Sequence, residues 1–136
     1  MFGLVPNLSA AFVPSMKAQR SGVILNMSSG SGTKGFVGES GYCPSKHGIE
    51  GLTKTLALEL APWNIVVTSL TPGVGIHTPM SEGHYTQEER RNWQDPSVLA
   101  SAFVHLARVA DPSFSGQRVN AYELAQRVDS GELRTQ

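Results

Sequence analysis

Two short runs of β-branched and apolar residues, GVILNMSS at positions 22–29 and NIVVTSLTPG at positions 64–73, flank a nineteen-residue stretch of helical periodicity from Tyr42 to Leu60. This pattern constrains the fold more than any other feature of the chain. Nearly continuous apolar runs of this length suit strands buried on both faces. A helix between two such strands requires a crossover connection, because a hairpin needs only a short turn. The unit is therefore β-α-β, with its two strands expected to be parallel and the crossover right-handed. The first strand is expected over about Val23 to Ser28, and the second stops at Pro72-Gly73. The expected fold class is α/β.

The remaining segments fit around this unit. Leu4, Leu8, Ala11, Phe12, Ser15 and Met16 recur at helical spacing, with Pro6 suited to a first turn, which predicts a helix over about 4–19. The stretch GIHTPMSEGHYTQEERRNWQ reads as irregular and polar. Asp95-Pro96 then gives a cap and first turn, and Val98, Leu99, Ala102, Phe103 and Leu106 give the helix behind it one apolar face. A last short strand is expected within SGQRVNAYEL, and residues 122–136 read as a polar tail.

Charge and composition exclude several classes of function. Eleven basic residues balance eleven acidic ones, so no overall field attracts nucleic acid or an anionic membrane. No apolar run approaches the roughly 20 residues that span a bilayer, and the start MFGLVPNLSAAFVPSMK has no charged region ahead of its apolar part, so no targeting segment is expected. Four scattered histidines show no metal-ligand spacing, and Cys43 is the single cysteine, which fits a reducing, cytoplasmic setting without a metal.

Candidate chemistry lies between Ser28 and Lys46. At about 100° per residue, Tyr42, Lys46, Ile49, Thr53, Leu56 and Leu60 fall within roughly 40° of one line, so the tyrosine and lysine continue the stripe that faces the sheet. A lysine on a buried face is costly to desolvate unless something nearby uses it. The bland alternative is a lysine that snorkels to solvent beside a boundary aromatic. Ser29 and Pro72-Gly73 end the two parallel strands at their carboxyl edge, where open α/β folds bind ligands, and the helix with Tyr42 starts from that edge. A hydroxyl, a phenol and an ammonium converging there suit proton transfer at a carbonyl or alcohol oxygen. A phenol, with a reference pKa of about 10, needs a nearby cation to work near neutrality.

Other candidates fall away. SSGSGTKG lacks the G-K-[ST] ending of a phosphate-cradling loop, Cys43 has no evident base partner, and His47 and EERR read as solvated helix positions. A hydrolase using Ser29 would lack the G-x-S-x-G elbow.

The order N-M-S-S, the thirteen residues from Ser29 to Tyr42, Y-C-P-S-K, GIEGLTKTLALELAP and then TPG followed by TPM resembles the catalytic half of the short-chain dehydrogenase/reductase family over about residues 1–121. The resemblance implies part of a Rossmann-type doubly wound parallel sheet, with two to three strands, in an NAD(P)-dependent oxidoreductase acting on a small-molecule carbonyl or alcohol. It implies Tyr42 as general acid/base, Ser29 holding the substrate oxygen, and Lys46 binding the nicotinamide ribose and assisting Tyr42. Pro72, Gly73, Ile76 and Thr78 would line the nicotinamide pocket, although PGVGIHT is one residue longer than the commonest family spacing. The family's glycine-rich T-G-x-x-x-G-x-G turn and its N-A-G strand end have no counterpart in the sequence. The alternative expectation is accordingly a truncated, non-catalytic remnant acting as an interaction module. Gly48, Gly51, Thr55 and Leu58 lie opposite Tyr42 and Lys46, and relatives pair subunits through this helix and the one before it. Self-association through helices 4–19 and 42–60 is therefore expected.

Overall fold

The computed structural model describes residues 4–133. Helix α1 spans Leu4–Gln19, strand β1 Gly22–Met27, helix α2 Tyr42–Leu60 and strand β2 Ile65–Thr71. Helices α3 (Pro79–His84) and α4 (Ala100–Val109), strand β3 (Arg118–Asn120) and helix α5 (Ala121–Asp129) complete the chain.

The three strands form one parallel sheet in the order β1-β2-β3. β1 pairs with β2 from Gly22↔Ile65 to Met27↔Leu70, and β2 pairs with β3 from Ser69↔Arg118 to Thr71↔Asn120. Helices cover both faces. Ile65 and Val67 of β2 pack with Ala57 and Leu60 of α2, joined by Val13 and Met16 of α1. The alternate residue Leu70 points the other way, into a cluster with Leu99, Ala102 and Leu106 around α4 and with Ala121, Leu124 and Ala125 of α5. β2 is thus enclosed on both faces, which its unbroken run of β-branched residues anticipated.

Of residues 122–136, read from the sequence as a polar tail, 122–129 belong to a helix packed into the core, and 134–136 lie outside the described residues. Asn120 caps α5 by accepting a hydrogen bond from the Glu123 N–H, and Leu124 and Ala125 are buried against α4 and Leu70. Ala121, Leu124 and Ala125 are buried with Tyr122 and Val128 packed beside them, and this narrow stripe is all that a nine-residue helix needs. The segment expected to be irregular holds α3, capped reciprocally by Thr78 and Ser81. On α1 the stripe read from Leu8 and Phe12 faces outward, at 51% and 59% exposure, while Val13 and Met16 meet the core. Apolar residues occur all round this helix, so periodicity left its face open and packing chose it.

Candidate active site

α2 begins at Tyr42, and its sheet-facing stripe is as the spacing predicts: Lys46, Ile49, Thr53 and Leu60 are buried, with Tyr42 and Leu56 half-buried. Pro44 falls in the first turn, where its missing N–H leaves no gap in the helix. The Lys46 ammonium does not snorkel outward. It is 7% exposed, donates to the Met27 carbonyl at 3.0 Å, and lies 5.4 Å from the centroid of the Tyr42 ring. Burial pushes its pKa below the ordinary lysine value. The lysine therefore ties the first turn of α2 to the last residue of β1.

Ser29 follows two residues later. Its backbone is extended, and its hydroxyl caps a single 3-10 turn, Gly30–Gly32, by accepting from the Ser31 N–H at 3.3 Å. No hydrogen bond joins Ser29 Oγ to Tyr42; the two stand at the same sheet edge, with the serine oxygen turned into its own loop. The turn is pressed onto α2 at Gly32, where an added Cβ would come within 2.7 Å of Ser28 Oγ and 3.2 Å of the Lys46 carbonyl. On the far side of the loop, Glu39 accepts from Ser31 Oγ at 2.6 Å and from the Cys43 thiol at 3.2 Å. Cys43 thus acts here as a buried hydrogen-bond donor.

The other site residues divide into two groups. The Pro72 carbonyl accepts from the Tyr122 N–H at 3.1 Å, and Gly73 adopts φ +80 with the Asn120 side chain directly against it, leaving no room for a Cβ. The loop after β2 is thereby seated on the start of α5. Ile76 pairs in parallel with Gln94, and the Thr78 hydroxyl accepts from the Ser81 N–H at 3.1 Å to begin α3. The segment they anchor carries Tyr85 edge-on to Trp93, with ring centroids 4.9 Å apart.

Sequence reading passed over Glu50. It lies one turn beyond Lys46, is 7% exposed, and accepts from Ser69 Oγ at 2.8 Å and from Arg118 Nε at 3.1 Å. The signal was available in part, since position 50 lies about 80° from Tyr42 on the helical wheel. Its partner Arg118, 68 residues away, left none. Among the described residues no helix is long and apolar enough to cross a membrane, and no group of three or more His, Cys, Asp or Glu is placed to hold a metal ion.

At the carboxyl edge of the parallel sheet the Lys46 ammonium thus stands beside the Tyr42 ring, with Ser29 in the loop that leaves β1. The family is settled by likeness. A family model described as short chain dehydrogenase matches residues 1–89, and this chain belongs to the short-chain dehydrogenase/reductase family. Over 73 residues it is 48% identical to the trans-4-hydroxycyclohexanecarboxylate dehydrogenase of Sinomonas cyclohexanicum, covering 54% of this chain and 27% of that protein. A solved structure described as a putative NAD(P) dependent gluconate 5-dehydrogenase from Beutenbergia cavernae, with NADP bound at low occupancy, superposes with a TM-score of 0.77 at 26% identity, over 88% of this chain and 53% of that one. A 7α-hydroxysteroid dehydrogenase complexed with NADH and 7-oxo glycochenodeoxycholic acid gives 0.76 at 26% identity, over 85% and 48%. The chain spans about half the length of these solved relatives.

Proposed function

We propose that this chain carries the proton-transfer half of an NAD(P)-dependent oxidoreductase that interconverts a small-molecule carbonyl and alcohol. The observation that carries the proposal is the buried Lys46 ammonium, held 3.0 Å from the Met27 carbonyl and 5.4 Å from the Tyr42 ring centroid. A buried cation is costly, and here it stands beside the Tyr42 phenol at the sheet's carboxyl edge. The two solved relatives described with NADP and NADH support the same reading.

The donor set fits the nicotinamide-ribose end of such a cofactor. An ammonium has three N–H donors, and Lys46 uses one on Met27. Two remain for ribose hydroxyls. A bound nicotinamide would donate or accept the hydride at the substrate carbon. In the reducing direction the Tyr42 phenol donates its proton to the substrate oxygen; in the oxidising direction the phenolate takes it back. Lys46, its ammonium 5.4 Å from the Tyr42 ring centroid, binds the ribose and assists Tyr42, and Ser29 donates a hydrogen bond to the same substrate oxygen. Ile76 and Thr78 would border the nicotinamide, and the aromatic pair Tyr85 and Trp93 leaves room for an apolar substrate. We place the protein in the cytoplasm, on its single cysteine.

Self-association belongs to this reading. Leu8 and Phe12 of α1 and Leu58 of α2, the last 80% exposed, give the two helices apolar outer faces beside Gly51 and Thr55. A second copy fits there, and sedimentation as a clean monomer removes this part of the proposal.

Fluorescence titration with NADH and NADPH, followed by turnover on a panel of ketones and secondary alcohols, tests the main proposal. Tyr42→Phe is expected to lower turnover by about 10²–10⁴-fold with cofactor binding retained. Absence of both binding and turnover, with Tyr42→Phe indistinguishable from the parent, would favour the non-catalytic interaction module instead.

A further inference from the structure

The chain leaving β1 is gripped by two cations from two different elements. Lys46 Nζ donates to the Met27 carbonyl at 3.0 Å, and Arg118 Nη2 donates to the Ser29 carbonyl, two residues on, at 2.8 Å. Between them the Ser28 N–H donates to the Leu70 carbonyl at 2.7 Å. Arg118 sits on β3, opposite Ser69 in the register, so its side chain reaches across β2 to the end of β1.

Glu50 aims that side chain. One carboxylate oxygen accepts from Arg118 Nε at 3.1 Å and the other from Ser69 Oγ at 2.8 Å, so both are satisfied in a site where Glu50 is 7% exposed. A guanidinium presents its donors in a rigid planar fork, so binding one edge to Glu50 fixes where the remaining arm points. That arm meets Ser29.

Stability alone is a poor account of this arrangement. Well-packed apolar residues commonly replace a buried ion pair with neutral or favourable effect. The arginine side chain is also 31% exposed, which weakens the pair's contribution further. What the pair provides is location. Ser29 precedes Gly30, its hydroxyl caps only its own 3-10 turn, and its carbonyl is otherwise bound only by the Gly32 N–H of that turn, at 3.0 Å. Without Arg118 the Ser29–Gly32 turn is bound chiefly to itself and, through Ser31 Oγ, to Glu39.

We propose that Glu50 and Arg118 are positioning residues, which hold the Ser29 carbonyl and so fix the Ser29–Gly32 turn at the sheet edge from which α2 and Tyr42 start. The tether stands on geometry alone; its catalytic consequence rests on the dehydrogenase reading above.

The experiment compares three variants of the full chain: Arg118→Met, which keeps the stem and removes the fork; Arg118→Lys, which keeps the charge; and the double variant Glu50→Met with Arg118→Met. The double variant leaves no buried charge unpaired and so guards against simple loss of fold. Two quantities are read: amide hydrogen exchange residue by residue, and kcat and KM for NAD(P)-dependent turnover. In Arg118→Met and in the double variant, exchange at Ser31 and Gly32 is expected to rise about tenfold, as loss of one charge-assisted hydrogen bond implies. The amides of β2 and α2 should keep their protection, and kcat should fall with KM for the nicotinamide unchanged. Arg118→Lys should recover part of both effects. Unchanged exchange at Ser31 and Gly32 in the double variant overturns the tether, as does a uniform rise across β2 and α2, which marks a merely structural pair. Loss of tether with kcat unaltered overturns the catalytic consequence. A parent chain without turnover defeats the dehydrogenase reading and the consequence resting on it, while exchange still decides the tether.

Discussion

β1 and β2 run side by side in parallel register and end at the same edge of the sheet, yet they are held in place by different means. Every residue of β2 from Ile65 to Leu70 is buried, whereas in β1 only Asn26 is. β2 has a strand on each side and helices on both faces; among the described residues β1 has one strand neighbour. Dispersion and apolar burial therefore position the loop after β2. The end of β1 depends more on directed polar contacts, from Lys46 to Met27, from Arg118 to Ser29 and from Asn26 to Thr53. Two strands of similar length in one sheet reach the same edge, one by packing and the other by polar hooks.

This contrast can be broken at several points. The largest difference is expected in the core: Leu70→Ala should cost about 3–5 kcal/mol in urea unfolding, and Leu25→Ala, at a half-buried position, about 1–2 kcal/mol. Equal costs would erase the distinction. Next is the buried contact that ties β1 to α2, where the Asn26 amide donates to Thr53 Oγ1 at 2.9 Å. Thr53→Val leaves that amide unpaired and should cost about 1–3 kcal/mol by the same measurement, much more than the change in shape alone. Amide exchange supplies a smaller effect without mutation: the slowest β1 amides should exchange about tenfold faster than the slowest of β2. Matching protection would mean that β1 is as firmly seated as its neighbour.

The smallest effect concerns Lys46. Burial lowers its pKa from 10.5 in the folded chain, so between the lowered value and 10.5 the unfolded chain binds more protons. Stability should rise with pH across that window, and the penalty for the buried charge is fully present below it. Lys46→Met should flatten this rise in the pH dependence of the unfolding midpoint, and an unaltered slope would show that the ammonium is better solvated than its burial implies.

Much of the fold was legible in the sequence. The bounds of α2, the end of β2 at Pro72 and the apolar face of α4 all follow from local periodicity and from proline and glycine placement, because those signals act over a few residues. Three features were misread where periodicity was weak or too broad. α1 is apolar on several sides, α5 buries only a narrow stripe, and α3 is a six-residue helix set by a single capping pair. In the site, Tyr42 and Lys46 were legible because helical geometry relates positions four apart.

The sequence by itself determined the strand-helix-strand unit from β1 to β2, its parallel order and the family, since these strand, helix and turn patterns are written in neighbouring residues and the motifs run in series. Only the tertiary structure decided how Ser29 is held. Glu50 meets Arg118 across 68 residues and Arg118 meets Ser29 across 89. A contact of that range leaves no period or spacing in the chain; it exists because β3 lands beside β2 and a guanidinium is long enough to cross the strand between.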